Sequence, residues 1–533
     1  MQVAPTTAGT TGGEVPDPPP PVDGSQLRGA SHRLVDRFFI DRVLEKLARD
    51  TTTADRPALL FKGATVTFCQ LNERADRLAR RLTATLSGRP SNSDGDTIVA
   101  VCLDPGIDLI ATLLAVFKAG AAYLPLDASF PADRLLYIVN DARPALLVTT
   151  ADLLVSSPAL SRLDPSAVTI FDVEAADTGG DADTEKSDGT IESDDDGRED
   201  GALASVLYTS GSTGSPKGVR LRHSNIQHRL AWQWRRFPYG PGDVACFKTA
   251  LTFVDSIAEI WAPLLMAVPV VVVPKSVSRN TELFVDLLDQ CGVTRLVLVP
   301  SLLSAILTDV QDRCRKSPNA QPPLSQLHLW VCSGEILTAE LLLRFYDSLP
   351  STSAGGNIIC NLYGSTEVTG DVTYTVFHSR QQVLESLVDG KVPIGVPLDN
   401  NAVYLLDSAK KLVPTGHIGE LYVAGGHVAA GYVNQREMGR FGANTVDDRV
   451  GYGTWFKTGD FGRLIGSVFV FEGRSDSQVK IRGYRVDLAE VDHVLSQIQE
   501  VQAGVVLCYK PGEPEQVREG EAFLIQKVKN GPC

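Results

Sequence analysis

The segment Tyr208–Gly218, YTSGSTGSPKG, constrains the fold of this chain more than any other stretch. Its eleven positions hold three glycines, five small hydroxyl residues and one lysine. Glycine lets the backbone turn sharply, so that successive N–H groups converge on an anion. The apolar run ASVLY that enters the loop predicts a buried strand. We therefore predict a phosphate-binding loop that follows a strand, because a flexible Gly/Ser linker needs neither the strand nor the lysine.

The polar groups of this loop are the candidate phosphate contacts. Lys217 supplies a cation that can follow a phosphate as charge develops. The pattern is neither of the common nucleotide fingerprints, since Gly218 and Val219 follow the lysine and no GxGxxG opens a helix after a strand. Besides Lys217, the predicted nucleotide contacts of the loop are Thr209, Ser210, Gly211, Ser212, Thr213 and Gly214.

The length of 533 residues exceeds what one hydrophobic core supports and predicts two or more domains. Short β-rich runs (TIVAVCL, PALLVTT, VPVVVVP, RLVLVPS) alternate with helical patterns such as QLNERADRLARRL, which favours a layered α/β fold. GELYVAG and SVFVFEG predict β-hairpins, and VKIRGYRVDLAEVDHVLSQIQE predicts a strand followed by a helix. The predicted organisation is a disordered leader over 1–35, a large domain over 36–476 and a small α+β unit over 477–533.

The net charge of −14 is concentrated in one segment. Residues 171–200 carry thirteen acids and two bases, which leaves about −3 for the rest of the chain. We predict that 175–201 is a disordered acidic insert. The leader lacks the basic start and apolar centre of a secretory signal, and no apolar run reaches the length of a membrane span. With nine scattered cysteines, these features predict a cytoplasmic protein without membrane or nucleic-acid partners.

Six ordered motifs resemble those of the adenylate-forming (ANL-type) superfamily, which includes acyl-CoA synthetases, luciferases and the adenylation domains of nonribosomal peptide synthetases. The resemblance implies a large adenylation domain of layered sheets and helices with a β-rich subdomain, and a small, truncated C-terminal α+β subdomain. It also implies that ATP and Mg²⁺ convert a carboxylic acid into an acyl-adenylate. The motifs are FKAGAAYLPLD, YTSGSTGSPKG, NLYGSTE, GELYVAGGHVAAGYVN, WFKTGDFGR and FEGRSDSQVKIRGYRVD.

The resemblance assigns roles to individual residues beyond the loop. It implies that Tyr363 stacks on adenine, that Thr366 contacts the α-phosphate and that Glu367 binds magnesium. Asp460 is expected on the ribose hydroxyls, with a turn role after a glycine as the alternative. Further contacts implied for the nucleotide are Arg474, Gly334, Glu335, Asn361 and Gly364, and Lys480 is expected on the face that meets a carrier arm.

The sequence FVDS indicates the substrate. Adenylation domains for α-amino acids usually carry an aspartate directly after this phenylalanine, whereas here Val254 follows Phe253 and the acid is Asp255. An acid shifted by one position suits an ammonium one carbon further from the carboxylate, as in β-alanine. The alternative is that Asp255 caps the helix beginning SIAEIW. The other pocket residues implied by the resemblance are Ala258, Val297, Trp330, Cys332, Leu362, Gly370 and Asp371.

The runs HRLAWQWRRFPYG and LYGSTEVTGDVTY resemble the adenylation regions of β-alanyl amine synthetases. That resemblance implies loading of β-alanine onto a phosphopantetheine carrier, absent from this chain, and transfer to an amine. Complete family members carry a later NGK-like loop with an adenylating lysine, and no counterpart follows residue 476, so reduced activity of this chain is expected. The alternatives are an acyl-CoA ligase and a non-catalytic nucleotide-binding isoform.

Overall fold

A computed structural model describes residues 40–163, 169–173, 201–211, 215–319, 321–349, 356–435, 439–449 and 451–474, and shorter pieces within 478–525. The predicted leader, nearly all of the acidic insert and three loop residues, Ser212, Thr213 and Gly214, lie outside these ranges. The domain boundaries therefore stay predictions. Within the described residues, no helix is long and apolar enough to cross a membrane.

The described α-helices alternate with short strands, as the apolar periodicity predicts. The helices are α1 (Ile40–Arg49), α2 (Phe68–Leu86), α3 (Ile107–Lys118), α4 (Ala132–Ala142), α5 (Ala151–Ser156), α6 (His223–Arg236), α7 (Asp255–Leu264), α8 (Lys275–Ser278), α9 (Thr281–Gln290), α10 (Pro300–Lys316), α11 (Ala339–Ser348) and α12 (Arg380–Ser386).

The strands are β1 (Pro57–Phe61), β2 (Ala64–Thr67), β3 (Ile98–Val101), β4 (Ala122–Pro125), β5 (Leu146–Thr149), β6 (Thr169–Asp172), β7 (Leu203–Thr209), β8 (Lys217–Arg222), β9 (Ala245–Phe247), β10 (Val270–Val272), β11 (Arg295–Leu298), β12 (Leu329–Cys332), β13 (Ile358–Tyr363), β14 (Thr373–Phe377), β15 (Val396–Pro397), β16 (Asn401–Leu406), β17 (Gly419–Gly425), β18 (Phe441–Ala443), β19 (Thr454–Ile465), β20 (Val468–Arg474), β21 (Gln478–Ile481), β22 (Tyr484–Asp487), β23 (Val506–Tyr509) and β24 (Ala522–Ile525).

Three sheets with parallel strands form the α/β part of the described structure. A six-stranded sheet has the order β6-β5-β3-β4-β7-β8, in which the pair β7 and β8 is antiparallel. A five-stranded sheet, β11-β12-β13-β14-β15, is parallel up to β13 and antiparallel beyond it. A four-stranded sheet has the order β2-β1-β10-β9. Its side chains contribute to both main apolar clusters, so it packs against both other sheets and their helices. The predicted α/β class is confirmed.

The region after β15 is all antiparallel, as the glycine-punctuated sequence predicts. Strands β16, β17, β19 and β18 form a sheet, and β20 pairs with β19. The segment VKIRGYRVD forms the hairpin of β21 and β22, so the prediction of a single strand there was incomplete. Most of the predicted helix after β22 lies outside the described residues.

Amphipathic helices build the main core. Helix α2 begins with a capping box, in which Thr67 accepts from the Gln70 N–H and the Gln70 side chain reaches back to the Thr67 N–H. Its apolar stripe, including Leu71 and Leu78, is buried against α1 and α3. Burial of each such side chain contributes roughly 1.5 to 3 kcal/mol. This core fixes the six-stranded sheet that carries the glycine-rich loop.

Two glycines of the antiparallel region provide a test of the fold. Gly425 has φ +120° and a Cβ there would lie 2.1 Å from the Asn400 carbonyl oxygen, whereas Gly466 has φ +60° and open space around it. We expect Gly425→Ala to lower the free energy of unfolding by about 3 kcal/mol or more, because steric overlap adds to backbone strain. The control Gly466→Ala should cost only about 1 kcal/mol, as for a left-handed residue alone. Equal losses in urea melts would contradict the close approach at Gly425.

Candidate active site

The glycine-rich loop connects two strands of an antiparallel hairpin. Strands β7 and β8 pair so that Thr209 lies opposite Lys217, at the mouth of the loop. A Cβ on Gly211 would lie 2.0 Å from the Ser215 carbonyl oxygen, so only glycine fits this fold of the backbone. The Thr209 hydroxyl is buried and has no hydrogen-bond partner among the described residues. An orphaned hydroxyl at a loop of this kind fits a bound anion.

Lys217 and Glu367 both contact the side chain of Tyr432. Lys217 is 4% exposed, and its Nζ lies 5.8 Å from the centroid of the Tyr432 ring. The Tyr432 hydroxyl donates to Glu367 Oε1 at 2.9 Å, and Glu367 is 1% exposed. The structure thus brings together a cation and an anion that are 150 positions apart in sequence. Such a pair can neutralise phosphate charge and hold a cation respectively.

The motif NLYGSTE folds tightly where β13 ends. A 3₁₀ turn spans Thr366–Val368, and Thr366 is partly exposed. A Cβ on Gly364 would lie 2.0 Å from the Gly370 carbonyl oxygen, which explains the glycine. The buried Ser365 hydroxyl has no hydrogen-bond partner among the described residues. This turn presents polar groups beside the phosphate hairpin, because β8 and the 3₁₀ turn are in contact.

Tyr363, Asp460 and Arg474 form a connected group. Register in the antiparallel pair of β19 and β20 places Asp460 opposite Arg474, and Arg474 Nη1 donates to Asp460 Oδ1 at 2.5 Å. The Tyr363 hydroxyl donates to Asp460 Oδ2 at 2.6 Å. Burial, followed by the nearby Asp460 charge, raises the pKa of Tyr363 well above its usual value, so the hydroxyl stays a donor.

Asp460 keeps acceptor capacity after these two bonds. A carboxylate offers about four lone-pair sites, and Tyr363 and Arg474 use two of them. Asp460 lies inside β19, so the alternative of a simple turn role after Gly459 was wrong. The predicted contact Asn361 is 5% exposed, and its amide donates to the Pro393 carbonyl at 3.1 Å.

A divalent cation would have one carboxylate here. Among the described residues no group of three or more His, Cys, Asp or Glu side chains could hold a metal. Mg²⁺ needs few protein ligands, since it commonly uses one or two carboxylates together with phosphate oxygens and water. Glu367, beside the phosphate hairpin, fits that requirement.

Three further predicted contacts, Glu335, Gly334 and Lys480, lie in the described residues. Glu335 accepts from the Ser301 N–H at 2.8 Å and from the Ser301 hydroxyl at 3.1 Å, at the start of α10. Gly334 has φ +86°, which favours glycine. Lys480 is exposed in the hairpin of β21 and β22, which is joined to β20 by a bond from Arg474 to Gln478.

Asp255 begins helix α7 but does not cap it. The N-cap position is Val254, with helical φ and ψ, and no side-chain cap hydrogen bond is formed there. The alternative that Asp255 caps this helix was therefore wrong. Asp255 is partly exposed, and its side chain makes no hydrogen bond or ion pair with the residues that the structure describes. Burial, with repulsion from Asp371 and Glu259, raises the pKa of Asp255 to about 6.

Asp371, the neighbouring carboxylate, is fully engaged. Arg229 donates to Asp371 Oδ2 through Nη2 at 2.8 Å and Nε at 3.2 Å, and the Ser333 hydroxyl donates to Oδ1 at 2.8 Å. All three residues are buried. The two carboxylates at this site thus differ, since one is paired and the other is open to a cation.

The remaining predicted pocket residues divide between two faces of the five-stranded sheet. Leu362 packs with Val331 in one apolar cluster, and Val297 lies beside Val331 in the parallel register. Trp330 and Cys332 point to the opposite face, where they are buried against α9, α10 and α11. The structure does not bring these two together with Asp371. Gly370 faces Val254, since a Cβ there would be 3.6 Å from Val254 Cγ1, and Ala258 lies one turn beyond Asp255.

Sequence reasoning missed four residues of the site. Val331 and Ser333 could have been found from the alternation of side chains along LWVCS, because residues two apart share a face. Tyr432 lies in the recognised run GELYVAGGHVAAGYVN but carries no local sign of its contact with Glu367. Arg229 lies 142 positions before Asp371, and nothing in the local sequence marks that pair.

Comparison with known proteins decides the family. The family model of the AMP-binding enzymes matches residues 46–433. The chain belongs to the AMP-binding enzymes. It is 42% identical over 496 residues to the beta-alanyl-bioamine nonribosomal peptide synthetase ebony of Drosophila melanogaster, covering 90% of this chain and 54% of that protein. It is 30% identical over 467 residues to the zwittermicin A synthase ZmaJ of Bacillus cereus, covering 86% and 81%.

The fold agrees with this membership. NpsA-ThdA, an artificially fused adenylation-PCP di-domain from Klebsiella oxytoca, superposes with a TM-score of 0.72 at 21% identity, covering 89% of this chain and 86% of that chain. The predicted adenylation fold is therefore confirmed. Membership of the AMP-binding enzymes confirms the predicted class of adenylate-forming ligase, which uses ATP. This AMP-binding enzyme spans about half the length of the Drosophila relative.

The raised pKa of Asp255 generates a stability prediction. The pKa of Asp255 is about 6 in the folded protein and 3.8 in the unfolded chain. Its ionisation therefore lowers the free energy of unfolding as the pH rises above 3.8, and this loss of stability is complete above about pH 6. We expect Asp255→Asn to melt at a higher temperature than wild type, with a difference that grows from about pH 4 and levels off above about pH 6.

Asp127→Asn is the control of opposite sign. Burial opposes ionisation of Asp127, but hydrogen bonds from Ser129 and the nearby Lys275 outweigh it and hold the pKa of Asp127 below its usual value. Its replacement should lower the melting temperature at neutral pH and have little effect in acid. Thermal melts from about pH 2 to about pH 8 check both, because the contribution of Asp127 is lost only below its unfolded pKa of 3.8. A destabilised Asp255→Asn at about pH 7 would contradict the assignment.

Proposed function

We propose that this chain activates β-alanine as an aminoacyl-adenylate, for loading onto a phosphopantetheine carrier and conjugation to an amine. The observation that carries the proposal is Asp255, an acid with no described partner at the start of α7, where Val254 occupies the position of the α-amino-acid aspartate. A carboxylate in a partly desolvated pocket favours a cationic group over a neutral chain. This favours an amino acid over a fatty or aromatic acid.

The nucleotide is proposed to lie between the hairpin and the β19–β20 pair. Tyr363 supplies an aromatic face for adenine, and Asp460 accepts from the two ribose hydroxyls with its remaining acceptor sites. Arg474 orients Asp460. The glycine-rich loop and Thr366 hold the phosphates, with Asn361, Gly334, Glu335 and Gly364 shaping the surrounding turns.

The chemical step is a displacement at phosphorus. A carboxylate oxygen of the amino acid bonds to the α-phosphorus of ATP, and the bond from that phosphorus to the bridging oxygen breaks, so pyrophosphate leaves with the electron pair. Lys217 stabilises charge on the phosphates, and Glu367 would hold Mg²⁺, which would supply positive charge beside them when bound. The protein thus contributes by positioning and charge neutralisation.

The amino acid is proposed to lie between α7 and the five-stranded sheet. Its ammonium pairs with Asp255, while its short chain lies against Ala258, Gly370 and Leu362. Val297 and Val331 close the pocket from the sheet. A narrow apolar wall suits the two methylenes of β-alanine, which add little surface to bury.

The proposed loading onto a carrier and transfer to an amine rest on similarity to the Drosophila relative. The name of the Drosophila relative gives it a β-alanyl-bioamine product, and this chain is similar to about half of that protein. By that similarity, a phosphopantetheine thiol accepts the β-alanyl group, and exposed Lys480 lies on the surface that meets the carrier arm. The cytoplasm fits this chemistry, since carrier thiols need reducing conditions.

Amino-acid-dependent ATP–pyrophosphate exchange tests the substrate. We expect exchange with β-alanine well above that with α-alanine or hexanoate. Asp255→Asn should lower kcat/KM for β-alanine by about 100-fold, the cost of leaving a charge unpaired in a desolvated site. In wild type, kcat/KM should fall as the pH is lowered through about 6, because protonated Asp255 cannot pair with the ammonium.

Asp127→Asn serves as the matched control, since Asp127 is a structural carboxylate outside the pocket. Full β-alanine exchange by Asp255→Asn would refute the substrate assignment. Exchange with hexanoate but not β-alanine would identify an acyl-CoA ligase. ATP binding without exchange by any acid would identify a non-catalytic nucleotide-binding isoform.

The ribose assignment has its own test. Asp460→Asn removes an acceptor and a charge, and we expect the Kd for ATP to rise about tenfold, because a charge-assisted hydrogen bond contributes about 1.5 kcal/mol or more. Tyr363→Phe keeps the ring and removes only the hydroxyl that bonds Asp460 at 2.6 Å, so its effect should be smaller. Calorimetric titration with ATP measures both, and unchanged affinity in Asp460→Asn would place the ribose elsewhere.

A further inference from the structure

Two carboxylates face the space where the ammonium of the substrate is proposed to lie, and an ammonium could pair with either. Gly370, next to Asp371 in sequence, faces Val254, next to Asp255. Charge repulsion between Asp371 and Asp255 is strong enough to contribute to the raised pKa of Asp255. The proposed function pairs the ammonium with Asp255 but does not explain why Asp371 is not used instead.

The two carboxylates differ because Arg229 forms an ion pair with Asp371 and not with Asp255. Arg229 reaches from α6 and bonds Asp371 Oδ2 through two nitrogens, at 2.8 and 3.2 Å. Its third contact is with Gln233 Oε1 at 3.1 Å, and its guanidinium lies 5.1 Å from the Trp232 ring centroid. Arg229 is 6% exposed and Asp371 2% exposed. Since Ser333 occupies the other oxygen of Asp371, a substrate would have to break a buried network to bind there.

The other charges around Asp255 are paired as well. Glu259, one turn further along α7, is 3% exposed and accepts from Lys248 Nζ at 3.0 Å. It also accepts from the Lys248 and Thr249 N–H groups and from the Thr249 hydroxyl. The charged groups facing Asp255 are therefore two anions, Asp371 and Glu259, each with its own cation.

On the basis of the proposed function, we propose that Arg229 is a specificity-determining positioning residue, which neutralises Asp371 so that the substrate ammonium pairs with Asp255. Without Arg229, the ammonium would have two carboxylates within reach and two ways to lie in the pocket. Each would direct the substrate carboxylate differently toward the α-phosphorus, and misplacement of a reacting group costs rate. Arg229 acts through Asp371 and does not touch the reacting atoms.

The free protein gives the first test, without any substrate. The difference in melting temperature between wild type and Asp255→Asn, followed with pH, reports the apparent pKa of Asp255 by linkage. We expect Arg229→Met to move the midpoint of that difference upward by about one pH unit, because the unpaired Asp371 carboxylate then repels the charge on Asp255 more strongly. Arg229→Met/Asp371→Asn removes both charges and should return the midpoint to the wild-type value.

Arg235→Met is the matched control. Arg235 lies on the same helix and forms a comparable ion pair with Asp399 at 2.7 Å, but its side chain is 45% exposed. Its removal should leave the midpoint unchanged, since exposed pairs are screened. An unshifted midpoint in Arg229→Met, with a lower melting temperature alone, would show a merely structural role and overturn the proposal.

Binding of β-alanine, measured by calorimetry, gives the second test and does not need Arg229→Met to fold. The double variant Arg229→Met/Asp371→Asn should bind within about threefold of wild type, since the charge at Asp255 is kept. A loss of about 30-fold or more would mean that Asp371 holds the ammonium, which overturns the proposal. If wild type binds no β-alanine at any pH, the proposed function fails, and the pH midpoints still decide whether Arg229 neutralises Asp371.

Discussion

The buried ion pair between Arg229 and Asp371 joins parts of the molecule that are far apart in sequence. It connects α6 to the turn before β14. The Ser333 hydroxyl, directly after β12, donates to the same carboxylate and so connects that strand as well. The Asp371 carbonyl also lies 3.1 Å from His427 Nδ1. Burial lowers the pKa of His427 to about 3, so the ring is neutral, and because a carbonyl only accepts, Nδ1 carries the proton. One aspartate thereby positions a helix, a sheet and the loop after β17.

The nucleotide side depends on strand register instead. Antiparallel pairing places Asp460 opposite Arg474, and the end of β13 brings the Tyr363 hydroxyl to the same carboxylate. The hairpin of β7 and β8 is fixed in the same way, with Thr209 opposite Lys217. Register cannot slip by one residue without turning each of these side chains to the other face of its sheet. The two halves of the site are thus held by different interactions, ion pairing on one side and backbone pairing on the other.

Local patterns predicted the fold well and the pocket only in part. The stripe of α2, the runs that become β3, β5, β10 and β11, and the glycine-rich hairpin all follow from periodicity and turn chemistry, which act within a few residues. Trp330 and Cys332 show where this fails, because choosing a face of β12 requires knowing which side the helices cover. Arg229 was not predictable, since its partner is brought close only by the tertiary fold.

The shift of the acid from position 254 to position 255 has a geometric meaning that sequence spacing does not convey. At the start of a helix, one residue changes the direction of a side chain by about 100° and its height by about 1.5 Å. An added methylene alone extends an amino acid by a similar height but does not reproduce the rotation. Val254, facing Gly370, now fills the direction that the usual aspartate would take. Under the proposed function the ammonium would therefore approach from another side of α7, and the proposed neutralisation of Asp371 would leave Asp255 to receive it there.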